Sequence, residues 1–293
     1  MNIDIHADDF GYSLNTSKDI IECVKSGNLN SFSIICNTSH FEECMEYLYS
    51  EIPTLAYLPL ISVHINLPEG FSTSEYLPMS WGKLFINSYL NKNKLKEEIK
   101  KEIKYQIDRT WEAIRKCIDI AKQHNIEVRQ KSLRLDSHVH THLIPVVWES
   151  LIEVIEENNY DVEFIRNPKE PLKPFIANSL LSYGIVNILK NRILMAYSGK
   201  VDNYCERHGL KKMYMWGLTM SGHMDFARIK KVYPKMVEYC EERNRDLEIL
   251  FHPGLASKDE YSKEMNIDYF NDFNSSKNRS IEKDSVLRIK EVI

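Results

Sequence analysis

Asn2-Ile3-Asp4-Ile5-His6-Ala7-Asp8-Asp9-Phe10-Gly11 decides how the rest of the chain is read. Residues 2–6 alternate in the manner of a short strand, and two adjacent carboxylates follow at its end. Neighbouring residues of a strand point to opposite faces. For Asp8 and Asp9 to aim at one site the chain must turn there, and Gly11 is the residue read as supplying the turn. One carboxylate could then hold a metal ion while the other takes a proton. A solvated Asp-Asp turn has the same sequence, so the remaining strand ends must decide between the two.

They do so through histidine. Ser62-Val63-His64-Ile65-Asn66-Leu67, Leu133-Arg134-Leu135-Asp136-Ser137-His138-Val139-His140-Thr141-His142 and Leu247-Glu248-Ile249-Leu250-Phe251-His252-Pro253-Gly254 are three more strand-like runs, each with histidine at or near its end. In parallel α/β folds the strand C-termini share one rim, and active sites form on it. One such histidine is usually structural; four strand ends bearing acid–base or metal-type groups point to chemistry.

The pattern between these runs sets the fold class. Further strands are read at 31–36, 162–166 and 213–218. Helices are read at 15–26, 41–49, 90–124 (with a break), 145–158, 172–197, 226–243 and 281–293, and a Pro- and Gly-rich loop at 67–83. About seven β–α units, with no linker-like stretch among them, predict an α/β protein: one domain over residues 1–293, a distorted TIM-like (β/α) barrel with about seven parallel strands. A doubly wound open sheet is the alternative. No G-x-G-x-x-G motif follows the first strand and no Walker A motif occurs, which counts against nucleotide-binding variants.

Composition narrows the partners. The 293 residues carry a formal net charge of −4 without a basic stripe, so neither nucleic acid nor an anionic membrane surface is implied. The lysines between Lys94 and Lys104 alternate with Glu97, Glu98 and Glu102, as on a solvated helix face. None of the six cysteines forms a C-x-x-C pair, and no signal peptide or membrane-length apolar run is read. A cytoplasmic protein with reduced thiols is expected. A homodimer stays open.

A catalytic divalent site commonly takes three protein ligands and leaves a position for water. Asp9, His64 and His138, from three separate strand ends, make such a set. Asp8, beside a ligand but free of the cation, could take a proton from water, and His252 could protonate a leaving group. This is a layout for metal-assisted hydrolysis of an amide or ester. One divalent cation, magnesium or zinc, is expected, and two imidazoles favour zinc or another transition metal. At a two-residue period His138, His140 and His142 share a strand face. Alternate residues lie about 6.5 Å apart, so all three cannot ligate one ion, although His138 and His140 could. At least His142 is assigned a supporting or substrate-facing place.

Ala-Asp-Asp-Phe-Gly at 7–11, Val-His-Ile-Asn-Leu at 63–67, Leu-Asp-Ser-His-Val-His at 135–140, Ile-Arg-Asn-Pro-Lys-Glu at 165–170 and His-Pro-Gly at 252–254 together resemble the YdjC-like carbohydrate deacetylases. The resemblance implies a TIM-like barrel, a divalent metal and removal of an N-acetyl group from a small glycan such as diacetylchitobiose. It makes Asp9, His64 and His138 the ligands, Asp8 the general base and His252 a catalytic acid or its support. It also places Arg166 near the site, where it would orient Asp8. The chain departs from the pattern at His6, where an apolar or amide residue is expected. The loop Pro68-Glu69-Gly70-Phe71 fits only loosely, and no final strand is read after Asn278-Arg279-Ser280.

His140, His223 and Trp81 are the substrate-binding candidates. His223 follows the 213–218 strand onto the same rim. Trp81 and Tyr76 lie in the 67–83 loop, where an aromatic ring either stacks on a sugar or packs against the protein. His40, His124 and His208 read as surface residues and Glu170 as a loop carboxylate. Two other functions fit less well: a metal-dependent phosphoesterase or isomerase of another sugar derivative, and a non-catalytic sugar- or metal-binding barrel. Isomerases of this shape use more carboxylate ligands than are found, and a binding module has no need of Asp8.

Overall fold

A computed structural model describes residues 1–72, 76–176 and 185–293. The strands, in chain order, are β1 (Ile3–Phe10), β2 (Ser31–Ile34), β3 (Tyr57–Leu58), β4 (Leu60–Ile65), β5 (Glu127–Val128), β6 (Leu133–Ser137), β7 (Val162–Ile165), β8 (Met213–Trp216) and β9 (Asp246–Phe251). Seven of them form one sheet in the order β7-β6-β4-β2-β1-β9-β8, and β3 and β5 pair separately. Every pairing is parallel. The sheet curls into a distorted TIM-like barrel, as the alternation of elements predicts.

The alternation along the strands has a sense that the sequence reading did not draw out. Ile5, Ala7, Phe32, Ile34, Ile61, Val63, Leu133, Leu135, Leu247 and Ile249 belong to the main apolar core with the surrounding helices. The intervening Asp4, His6, Asp8, Ser31, Ser33, Ser62, His64, Arg134, Asp136 and Glu248 are buried too, but against one another. Ser31 Oγ donates to Asp4 Oδ1 at 2.6 Å and approaches His6 Nδ1 at 2.6 Å, while Arg134 Nη2 donates to Asp4 Oδ2 at 3.0 Å. The barrel is thus filled with hydrogen-bonded polar groups, and the apolar layer lies outside it.

Among the described residues the curled sheet does not close through a strand ladder. Its seam between β7 and β8 is bridged by the segment that follows β7. Met215 N–H donates to the Lys169 carbonyl at 3.1 Å. The Glu170 carboxylate accepts from the backbone N–H groups of Gly217 (2.7 Å), Leu218 (3.1 Å) and Thr219 (2.7 Å), and from Asn191 Nδ2 (3.0 Å) and the Thr219 hydroxyl. Glu170 is fully buried, so it is a closing piece of the barrel rather than a loop carboxylate in solvent.

Several boundaries move. β1 runs through the Asp pair to Phe10. The helix read over 90–124 with a break runs unbroken as Lys92–Gln123, and a separate helix, Trp81–Leu90, precedes it across Asn91. Trp81 therefore opens a helix instead of lying in a loop. Of the helix read over 172–197, residues 177–184 lie outside the described residues; Lys173–Ile176 and Ile185–Tyr197 are helical, and Gly199–Arg207 adds a further helix. The last helix starts at Asn278, earlier than read, and ends at Leu287. All six cysteines are unpaired and buried. Among the described residues no helix is long and apolar enough to cross a membrane.

Because an unsatisfied buried donor costs about 1–3 kcal/mol, Glu170→Ala is expected to lower the free energy of unfolding by about 3–5 kcal/mol in urea titration. Glu170→Gln keeps one acceptor oxygen and should lose less. A loss below about 1 kcal/mol for the alanine variant would show that the seam does not depend on this carboxylate.

Candidate active site

The C-terminal ends of β1, β4, β6, β8 and β9 open onto a cavity of about 630 Å³. That volume suits a small ligand of disaccharide size. Asp8, His64, His138, His140 and His252 line it, together with Trp81, His223, Tyr269, Phe273 and Arg279.

The local backbone explains how two adjacent aspartates reach one place. β1 pairs Ala7 with Phe32 and then Phe10 with Ile34, so β1 carries one residue more than β2 across this step. The extra residue is accommodated at Asp9, which adopts a left-handed conformation (φ 73°). A bulge of this kind re-aims a side chain and is often found beside active sites. The strand is thus bent at Asp9, and the chain turns at Gly11 as read, where Tyr12 N–H donates to the Asp9 carbonyl at 3.1 Å. Gly11 is required next door: at φ 88° its missing Cβ makes room for the Ile35 carbonyl oxygen.

Asp9, His64 and His138 come together as predicted. One donor atom from each lies within 4.8 Å of the others, and all three residues are buried. Asp9 Oδ1 is 3.6 Å from His64 Nε2 and 3.2 Å from His138 Nδ1. The far side of each ring is occupied. His64 Nδ1 meets Asp136 Oδ1 at 2.5 Å, and His138 Nε2 meets Glu69 Oε1 at 3.1 Å. Carboxylates behind ligating imidazoles fix the tautomer that leaves the other nitrogen for the ion. Burial alone would lower the His138 pKa, yet its hydrogen bonds to Asp9 and Glu69 push it up to about 10. The site as built draws positive charge to the spot where the three donors converge, and so fits a divalent cation.

Asp8 sits beside this group and is engaged differently. Arg166 Nη1 and Nη2 each donate to it at 2.9 Å. Ser33 Oγ donates at 2.9 Å and His6 Nε2 lies 3.1 Å away. Burial pushes the Asp8 carboxyl up, but Arg166, His64 and His6 outweigh it and hold it well below the usual carboxylate range. Arg166 is itself completely buried and also faces Asp136 (3.2 Å) and Glu248 (3.0 Å). His252, only partly buried, brings Nε2 to 3.9 Å from Asp8 Oδ2. The two groups flank the cavity floor at close quarters.

The histidine run does not stay extended. β6 ends at Ser137, and Val139 (φ 45°) and His140 (φ 57°) are both left-handed, which for a β-branched residue is unusual. The kink breaks the common face read for His138, His140 and His142. His138 turns to Asp9, and His140 lies on the cavity wall outside the three-donor group. His142 goes into the core, with Nε2 2.9 Å from the Arg166 carbonyl and Nδ1 2.5 Å from Ser137 Oγ. His140 is held well below the usual imidazole pKa by burial and by Arg166.

The remaining candidates separate. His223 is exposed on the rim. Trp81 lines the cavity with one face stacked on Phe85, ring centroids 5.3 Å apart. Tyr76 is buried and donates to the Leu67 carbonyl at 2.9 Å, so it packs against the body of the protein. The sequence reading left four contributors unassigned: Glu69, Asp136, Arg279 and Glu282. Asp136 carried a signal, since Arg134, Asp136 and His138 follow one another at the strand period. Arg279 donates to Asp9 Oδ2 at 2.9 Å across 270 residues of chain, a pairing that no local pattern announces.

A family profile described as YdjC-like protein matches residues 2–288. The chain belongs to the YdjC-like family. A carbohydrate deacetylase of Danio rerio is 24% identical over 177 residues, covering 57% of this chain and 50% of the relative. A carbohydrate deacetylase of Thermoanaerobacter pseudethanolicus is 35% identical over 66 residues, covering 22% of this chain and 24% of the relative. The matched stretches thus span half or less of these relatives' own lengths. A crystal structure from Enterococcus faecalis, of a candidate cellobiose-phosphate cleavage protein, superposes with a TM-score of 0.54 at 18% identity, covering 100% of this chain and 93% of that one. At that identity the likeness is one of fold.

Burial pushes the His142 pKa down to about 3, against about 6.5 when unfolded. The folded state keeps this ring neutral. Its contribution to stability is therefore complete above pH 6.5 and is lost as pH falls toward 3, at about 1.4 kcal/mol per pH unit. Urea midpoints measured from pH 7 to pH 4 should fall more steeply for the wild-type protein than for His142→Gln. Parallel curves would refute the assignment.

Proposed function

We propose that this YdjC-like protein is a metal-dependent hydrolase that removes an N-acetyl group from a small amino-sugar oligosaccharide of the chitobiose type. The observation that carries the reading is the pairing of a three-donor group, Asp9, His64 and His138, with a second carboxylate, Asp8, that arginine holds outside it on the same cavity floor. A binding protein needs the first and has no use for the second. The names of the two matched relatives, both carbohydrate deacetylases, support an acetylated carbohydrate as substrate.

Asp9, His64 and His138 would hold the ion. A divalent cation bound there would acidify a water molecule and polarise the acetyl carbonyl. Two imidazoles and one carboxylate suit zinc better than magnesium. Asp8 takes the proton from the attacking water. Its ion pair with Arg166 keeps it ionised, so an acid limb in the rate that reflects Asp8 protonation belongs well below pH 4. His252 hands a proton to the departing amine, which leaves poorly without one. His140 and His223 contact the sugar and Trp81 borders it. The six buried, unpaired thiols support a cytoplasmic setting.

Alanine at His64 or His138 should remove most of the bound metal from purified protein, as measured by elemental analysis. Full metal content in both variants would remove the ligand assignment. Asp8→Asn should keep the metal and lose about 10²- to 10⁴-fold in acetate release from diacetylchitobiose. A rate near that of the wild type would exclude Asp8 as the base.

A further inference from the structure

The last helix carries two buried residues one turn apart, Arg279 and Glu282, whose side chains both run to the cavity floor. They meet at His252. The His252 backbone N–H donates to Glu282 Oε2 at 2.6 Å, and the His252 carbonyl accepts from Arg279 Nη1 at 3.3 Å. His252 follows directly on β9, where the ladder with β1 has already ended at Phe251, opposite Ala7. Its peptide groups are therefore held by the helix, not by the sheet. The same Glu282 Oε2 lies 3.7 Å from His252 Nδ1, behind the ring nitrogen that faces Asp8. Arg279 continues past His252 to Asp9 Oδ2 and to Asn274 Oδ1.

We infer that Glu282 is a positioning residue for His252: the first turn of the C-terminal helix grips the His252 backbone from both sides and sets its imidazole against Asp8. The inference rests on the reading of His252 given above. Three physical points support it. A residue beyond its strand ladder needs other partners to hold one orientation, since a buried N–H left unpaired is costly. Glu282 supplies a charge-assisted acceptor, the stronger kind of hydrogen bond. Arg279 and Glu282 stand at i and i+3, so a rigid helical turn fixes the distance between the group that holds Asp9 and the group that holds His252. A displacement of about 1 Å at a reacting group costs about 100-fold in rate, which makes such a grip consequential for turnover.

The test compares wild type, His252→Ala, Glu282→Ala, Glu282→Gln and the double variant His252→Ala/Glu282→Ala as full-length, metal-loaded protein. Acetate release is measured with diacetylchitobiose and with an activated aryl acetate ester, whose leaving group needs little protonation. Glu282→Ala is expected to lower kcat on the amide about 10- to 100-fold with KM and metal content unchanged, and to affect the ester much less. The double variant should be no slower than His252→Ala alone. Glu282→Gln, which keeps an acceptor for the His252 N–H, should recover to within about threefold of wild type. Amide-proton exchange in protein labelled with ¹⁵N-histidine reads the grip without any substrate: the His252 amide should exchange at least about tenfold faster in Glu282→Ala, with the other histidine amides little changed. The inference is overturned if losses in the double variant multiply, if Glu282→Gln is as slow as Glu282→Ala, or if His252 exchange is unaltered. A wild-type protein inactive on the amide, or a fully active His252→Ala, would instead overturn the reading of the site on which the inference stands.

Discussion

One buried cation organises the interior of this barrel. Arg166 leaves the end of β7 and extends its guanidinium into a ring of Asp8, Asp136 and Glu248, contributed by β1, β6 and β9. None of these carboxylates could be buried there unpaired, and removing one member of such a group typically costs about 3–5 kcal/mol. The consequences run outward. Asp136, fixed by Arg166 on one oxygen, presents the other to His64. Asp8, fixed on both oxygens, is held outside the Asp9, His64 and His138 group. The polar filling of the barrel and the orientation of the cavity floor are two aspects of one charge arrangement.

That arrangement also bears on reactivity. A carboxylate in a bidentate ion pair is a weaker base than a free one, so Asp8 gives up basicity for a fixed position and a permanent charge. The compensation lies with the water, which must be made acidic if Asp8 is to take its proton. A carboxylate held this firmly could act as the proposed base only beside the neighbouring three-donor group, and their adjacency in the chain, Asp8 beside Asp9, ensures that the two are built together.

Much of this was legible in the sequence. The alternation of strands and helices gave the fold class, and the strand-end placement of Asp9, His64, His138 and His252 gave the floor of the cavity. What the sequence concealed has identifiable causes. The apolar alternation at residues 3, 5 and 7 slips to Phe10 at the bulge, but such a slip reads equally as the approach to the Gly11 turn, so the bend at Asp9 went unread. The two left-handed residues at 139 and 140 sit inside an otherwise regular alternation, which made three histidines look coplanar with one strand face. Arg279 and Glu282 act across more than 200 residues from Asp9 and 27–30 from His252, beyond the reach of any spacing argument. The polar barrel interior was written plainly in Asp4-x-His6-x-Asp8 and Arg134-x-Asp136, but alternation alone does not say which side of a sheet faces inward.

The seam between β7 and β8 sets the edges of the sheet apart from its middle. Asp9, His64, His138 and His252 belong to the unbroken run β6-β4-β2-β1-β9, each strand braced by ladders on both sides. The cavity wall at Gly217 and Leu218 stands at the seam: the β8 ladder ties it to β9 on one side, and Glu170 and the Met215–Lys169 backbone bond tie it to β7's trailing segment on the other. Its two flanks are thus fastened by different means, a continuous ladder and a side-chain knot. Gly217 cannot vary freely, because a Cβ there would meet the Leu250 carbonyl of β9. Changes around residues 221–223, at the outer end of this wall, can reshape what the cavity admits without reaching the strands that carry its floor, so in this architecture the opening and the floor are free to vary independently.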